Sequence, residues 1–236
     1  MDKHILNVPA NTVGRDFVVG DIHGCYYSLD KAMREVSFNK DIDRLFCLGD
    51  LVDRGPYSEA VADLLNEPWC YSVLGNHEQY CIEVHSQLVD DDIKKDIRNN
   101  HITYGGEWFY CLSDKRQKEL AKRFDDLPIM INLEVNGKHI GLAHGDIKDW
   151  DITSQLVKEA GDAIESSVIN GVIWGRTRIR QKNGIHAKGV DHIFLGHTVV
   201  RDIVRLGNVH YIDTGAVFGG KLSLINIKEY LKKYDN

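Results

Sequence analysis

Cysteine and proline are scarce: five Cys and four Pro in 236 residues. The cysteines (Cys25, Cys47, Cys70, Cys81, Cys111) are odd in number and none is spaced CxxC, which argues against a disulfide framework or a thiolate zinc cage. They read as small reduced thiols. No apolar run approaches the roughly 18 residues of a membrane span. The opening MDKHILNVPANTVGRD also lacks the basic-then-apolar layout of a signal peptide, so a cytoplasmic location away from membranes is expected. Positive charge is not in excess: the formal net charge is −6, which gives no global surface for nucleic acid. No repeat, low-complexity tract or Pro/Gly/Ser linker divides the chain, so residues 1–236 are expected to form a single domain.

What is present is the mixture of a globular enzyme, 27% charged and 43% hydrophobic. Short apolar, β-rich runs occur at 16–19, 44–48, 71–74, 129–135, 139–143, 192–195, 203–206, 209–212 and 222–227. Between the early ones, 28–36 and 58–66 place apolar residues on one helical face, with Ser28 and Ser58 as expected N-caps, and 116–124 forms a further amphipathic helix. Strand-helix alternation in the first half implies right-handed βαβ crossovers, and the strand-rich second half implies another sheet. The expected fold is an α/β sandwich. The charge run 90–98 reads as a solvated face. The basic stretch 176–189 reads as an exposed flexible loop, or as a rim attracting phosphorylated substrate.

Five strand ends share one punctuation: VVGD (18–21), CLGD (47–50), VLGN (73–76), GLAH (141–144) and FLGH (194–197). Each apolar run stops at Gly or Ala and delivers a residue able to bind metal. In α/β folds ligands sit beyond the carboxyl ends of strands, and glycine lets the chain turn sharply there. One such end alone is usually only a loop. Five in order bring Asp21, Asp50, Asn76, His144 and His197 to one neighbourhood, with His23 two residues after Asp21. Hard oxygen and imidazole without thiolate favour Mn²⁺, Fe²⁺ or Zn²⁺. Six donors are too many for one tetrahedral ion and suit two ions, with one carboxylate bridging. His4, His85, His101, His139, His186, His192 and His210 follow no such pattern and are expected to be surface or core residues.

The segments GDIHG (20–24), GDLVDRG (49–55), GNHE (75–78), AHGD (143–146) and GHT (196–198) resemble the ordered signature of the phosphoprotein phosphatase family, in its bacterial and phage branch. The resemblance implies a calcineurin-like αββα sandwich of mixed sheets with a dinuclear metal site at the strand C-terminal ends. It implies that Asp21, His23 and Asp50 hold one ion, and that Asp50, Asn76, His144 and His197 hold the other, with manganese expected first. It also implies that Arg54, Arg176 and Asn76 contact phosphate, that His77 is the general acid and that Asp53 is its partner.

The implied activity is a metal-dependent serine/threonine protein phosphatase. It would hydrolyse phosphoprotein monoesters by direct attack of a metal-bridging hydroxide, with some phosphotyrosine activity. Phosphorylated proteins or peptides are the expected partners, and no nucleic acid, membrane or regulatory subunit is implied. Cys25 does not begin a CX5R nucleophile loop, because Lys31 stands where the arginine would. GHTV places Val199 where broader phosphodiesterases carry a second histidine, and DTGAVFGG replaces the eukaryotic S-A-P-N-Y loop. The alternatives are a symmetrical diadenosine tetraphosphate hydrolase, which is usually longer, and an inactive phosphate-binding module, against which the complete ligand set argues.

Overall fold

The computed structural model describes residues 4–87, 89–160 and 167–234. Its strands are β1 (Ile5–Val8), β2 (Asp16–Val19), β3 (Arg44–Cys47), β4 (Cys70–Ser72) and β5 (Met130–Val135), then β6 (Lys138–Ala143), β7 (His192–Leu195), β8 (Val204–Leu206), β9 (Val209–Tyr211) and β10 (Leu224–Asn226). The helices are α1 (Tyr26–Glu35), α2 (Ser58–Asp63), α3 (Asn76–Glu83), α4 (Asp91–Thr103) and α5 (Glu107–Tyr110). They continue with α6 (Asp114–Asp125), α7 (Trp150–Ala160), α8 (Ser167–Trp174), α9 (Thr177–Arg180) and α10 (Ile227–Leu231).

Two mixed sheets result, one ordered β1-β5-β6-β7-β9-β8 and the other β10-β2-β3-β4. The two-residue period of a strand sorts their side chains between two cores. Val18, Phe46, Ile131, Leu133, Leu142 and Phe194 meet between the sheets. Their neighbours Phe17, Val19, Leu45 and Cys47 belong to a second core with Leu29 and Met33 of α1 and Val61 of α2. On the other sheet Ala143, Ile193 and Leu195 share that core with Trp150, Val157 and Ile169 of α7 and α8. The expected αββα sandwich is therefore the observed one.

This topology positions the strand ends. β2, β3 and β4 run parallel through the crossovers that carry α1 and α2, so Asp21, Asp50 and Asn76 leave the sheet on one side. β6 and β7 are also parallel, with Ala143 opposite Leu195, and they send out His144 and His197 together.

Several local expectations need correction. The N-caps of α1 and α2 are Cys25 and Tyr57, not Ser28 and Ser58. The Ser58 hydroxyl instead accepts the Asp53 N–H at 2.9 Å. The 90–98 charge run, by contrast, is the solvated face expected: it lies largely exposed on α4, capped by the Asp90 carboxylate. The 176–189 stretch is not a free loop throughout: it contains α9, and Arg178 is buried, its guanidinium donating to the carbonyls of Ile147, Lys148, Asn183 and Ile185. Strand β1, adding parallel to β5, and helices α3, α5, α7 and α8 were not expected. No helix among the described residues is long and apolar enough to cross a membrane.

Candidate metal centre

The six predicted donors do converge. Asp50 stands at the middle: its carboxylate lies 3.6 Å from His23 Nε2 and 3.2 Å from His144 Nε2. His23, Asp50 and His77 form one group whose donor atoms lie within metal-binding reach of one another, and Asp50, His144 and His197 form a second. Asp21 lies 4.0 Å from His23 Nε2 and accepts the His197 N–H at 3.0 Å. Asn76 Oδ1 sits 3.0 Å from His144 Nε2.

Glycine before the ligand is required by space as much as by turning. A Cβ on Gly75 would stand 2.4 Å from Asp50 Oδ1, and one on Gly196 would stand 2.2 Å from Asp21 Oδ1. The backbone of the site is itself strained. Of eight non-glycine residues with positive φ among the described ones, five belong to this site: His23, Asp50, Asp53, Arg54 and His197.

Tautomers can be read from partners. His23 Nδ1–H donates to the Val52 carbonyl at 2.8 Å, and His144 Nδ1–H donates to the Leu48 carbonyl at 2.6 Å. Each ring thus leaves Nε2 as an acceptor, that of His144 turned to the centre and that of His23 met by the Arg54 guanidinium. Around His144 Nε2 the nearest groups are the carboxylate of Asp50 and the amide oxygen of Asn76, which are acceptors too. Acceptors converging on acceptors need a cation between them. In keeping with this, the Asp50 carboxylate raises the proton affinity of His144 although burial opposes it. Burial, then the charges of Asp213 and Asp50, holds the Asp21 carboxyl well above its ordinary range. Burial brings His23 down to about 4 and His197 to about 3, which favours the neutral imidazole that a metal would require. The donor set fits two divalent ions.

Beside this group, His77 is buried with Nδ1 at 2.6 Å from Asp53 Oδ2 and Nε2 at 3.9 Å from Asp50 Oδ2. Burial resists ionisation of Asp53, but hydrogen bonds from His101 and His77 outweigh it and bring the pKa to about 2. Arg54 is exposed on the rim. Its guanidinium contacts His23 Nε2 and lies over the Phe218 ring, 5.3 Å from the centroid. Arg176 is half-buried and close enough to feel the charges of Asp50, Asp21 and Arg54.

Three contributors had no assigned part. Glu78, within the GNHE segment, accepts the backbone N–H groups of Asp50, Leu51, Val52 and Gly75 at 2.8–3.3 Å. Asp213, from the DTG segment, is a third buried carboxylate facing Asp21 and Asp50. His101, expected to be an ordinary surface or core histidine, instead bonds Asp53 from behind. The first two lay inside recognisable segments, whereas nothing local marked His101.

A two-sheet scaffold that gathers carboxylates, imidazoles and an amide at parallel strand ends defines a dimetal phosphoester hydrolase. The calcineurin-like phosphoesterase family model matches residues 17–201, most of the chain, and the chain belongs to that family. Its members use a dinuclear divalent centre, which the Asp/His groups fit. The chain is 35% identical to the serine/threonine-protein phosphatase 1 of Salmonella typhimurium, over 90% of this chain and 91% of that one. It is 29% identical to the asymmetrical bis(5′-nucleosyl)-tetraphosphatase PrpE of a Geobacillus strain, over 90% of each. Among solved structures it resembles a cold-active protein-tyrosine phosphatase of a psychrophilic Shewanella, with a TM-score of 0.61 at 17% identity, covering 95% of this chain and 79% of that one. That last likeness concerns the fold alone.

Proposed function

We propose that the chain is a metal-dependent serine/threonine protein phosphatase acting on phosphoprotein monoesters, with some phosphotyrosine activity. The observation that carries the reading is the buried His77–Asp53 pair at 2.6 Å beside the Asp50 cluster. A poor leaving group such as a serine alkoxide needs a proton, and here a held imidazole stands next to the reacting centre. When bound, two divalent ions, manganese first among candidates, supply Lewis acidity and a water of lowered pKa. Asp21, His23 and Asp50 would hold one ion; Asp50, Asn76, His144 and His197 would hold the other.

The chain's own residues do the rest. Arg54 and Arg176 grip the non-bridging phosphate oxygens and offset their charge, with Asn76 beside them. Asp53 keeps the His77 Nδ1–H pointed at itself, which leaves Nε2 to deliver a proton to the departing oxygen. No side-chain nucleophile is required. A cytoplasmic setting belongs to the same reading, supported by five cysteines that remain free thiols.

The relatives named for tetraphosphatase activity favour a second reading, hydrolysis of a dinucleoside tetraphosphate. The deciding experiment compares kcat/KM for phosphoserine, phosphothreonine and phosphotyrosine peptides with that for diadenosine tetraphosphate. Phosphopeptide hydrolysis with weak discrimination among the three is expected. A preference of several orders of magnitude for the dinucleotide over every peptide would move the assignment to the second reading.

A further inference from the structure

Asp53 is the meeting point of three side-chain donors. His77 Nδ1 lies 2.6 Å from Oδ2, Trp108 Nε1 donates to Oδ1 at 2.7 Å, and His101 Nε2 bridges both oxygens at 2.9 and 3.1 Å. A carboxylate only accepts, so His77 Nδ1 and His101 Nε2 each carry a hydrogen. In the neutral ring His101 Nδ1 is then an acceptor, and the Tyr110 hydroxyl 3.0 Å away donates to it. The chain of donors therefore runs Tyr110, His101, Asp53, with His77 arriving from the opposite side.

His101 is fully buried, and its ring stacks on Tyr80 at 5.3 Å with planes 17° apart. It lies in the last turn of α4, and the segment that follows also braces the residue next to Asp53: the Gly105 carbonyl accepts the Arg54 N–H at 3.1 Å. Asp53 and Arg54 both have positive φ, 73° and 67°, a conformation that side chains hold only when surroundings over-determine it. With a single partner, the Asp53 carboxylate could turn about its side-chain bonds. With His101 and Trp108 fixing both oxygens, Oδ2 has one place to be, and the His77 ring is aimed by it.

We infer that His101 is a positioning residue: through Asp53 it fixes the orientation of His77, and it touches neither phosphate nor metal ligands. The inference rests on the general-acid reading above, so its test carries a measurement that does not depend on that reading.

His101→Phe keeps the ring and its stacking but removes both hydrogen bonds. In His101→Gln a side-chain amide can still donate to Asp53. Both variants are prepared in full-length protein and checked for metal content and melting temperature. The first readout is turnover of a phosphoserine peptide and of 4-nitrophenyl phosphate, whose leaving group departs with little help from a proton. With His101→Phe, peptide kcat should fall about 10-fold, the lower range for loss of a supporting hydrogen bond, while KM stays unchanged. The nitrophenyl ester should lose no more than about 2-fold, because it depends little on the acid. His101→Gln should recover most of the peptide rate.

The second readout is the low-field proton NMR signal of His77 Nδ1–H in chelator-treated protein, assigned by its absence from His77→Asn. His101→Phe should shift or broaden it, and His101→Gln should restore it. An unchanged signal in His101→Phe overturns the inference, as do equal rate losses on the two substrates when His77→Asn itself discriminates between them. If His77→Asn lowers both substrates equally, the general-acid reading fails instead. Positioning by His101 then stands or falls on the proton signal alone.

Discussion

Asp21 is a position where removing a charge should stabilise one form of the protein and weaken another. Its carboxyl is buried and faces Asp213 and Asp50; burial first, and those charges next, hold its pKa well above the ordinary 3.8. The sign follows from linkage. A raised folded pKa contributes stability that is complete below the unfolded value and is lost as pH rises through the folded one. Metal-free protein at neutral pH therefore carries a penalty that a cation would relieve. Asp21→Asn removes the charge, while an amide oxygen can still accept the His197 N–H now held at 3.0 Å.

In EDTA at about pH 7 the variant should be more stable by about 1–3 kcal/mol, the scale of an uncompensated buried polar group. That corresponds to about 2–4 °C in Tm per kcal/mol for a chain of this size. As pH falls the gap should narrow, because the wild-type carboxyl, its pKa raised by burial, takes up a proton before ordinary carboxylates do. In excess Mn²⁺ the order should reverse. Wild type gains about 4.1 kcal/mol from each ion present at about 1,000 times its dissociation constant. The variant, short of one carboxylate ligand, gains chiefly from the other ion. Thermal melts of both proteins, with EDTA and with Mn²⁺, must therefore cross. An Asp21→Asn protein that is less stable than wild type in EDTA, or that keeps the whole Mn²⁺ gain, refutes the reasoning.

His77→Asn should keep its metal and lose about 10²–10⁴-fold in phosphoserine turnover, with a distinctly smaller loss on 4-nitrophenyl phosphate; equal losses would make His77 a phosphate clamp. Asp50→Asn should lose both ions and Asn76→Ala mainly one, which elemental analysis of the dialysed proteins resolves; unchanged metal content in Asp50→Asn would dismiss the bridging role. Arg178→Met leaves four carbonyls without the buried guanidinium that serves them, so it should cost about 3–4 kcal/mol in urea unfolding. A loss below about 1 kcal/mol would mean that water replaces the side chain there.

The parts of the molecule legible beforehand are those whose signal is local. Short unbroken runs of apolar, β-favouring residues at 16–19 and 44–48 mark strands because a strand covered on both faces carries apolar side chains at every position. An ordered series of strand ends that close in Gly or Ala and then Asp, Asn or His marks a candidate site because both the turn and the contact happen within one or two residues. Signals fail where a side chain has two possible uses. Ser58 has the chemistry of a helix cap, yet its hydroxyl is taken by the Asp53 N–H, since an unpaired buried N–H is the costlier vacancy. Arg178 sits in a stretch that looks solvated, yet the loop carbonyls around it need a donor and the guanidinium has five.

The same distinction separates the chemistry of the site from what holds it. Motifs along the strands name the groups of the candidate site, but five of those residues adopt a left-handed backbone that no local preference would choose. Their geometry is held by partners far off in sequence. Glu78 ties down the N–H groups of residues 50–52 from the first turn of α3, and Gly105 holds Arg54. His101 reaches Asp53 across 48 positions. A histidine whose role depends on α4 folding back over the rim leaves no periodicity and no neighbouring motif, so its spacing alone could only suggest surface or core. Reading such a site therefore takes two steps. The first asks which residues can do the chemistry; the second asks which buried donors remain once the strained turns are drawn, and it is the second that brings His101 into view.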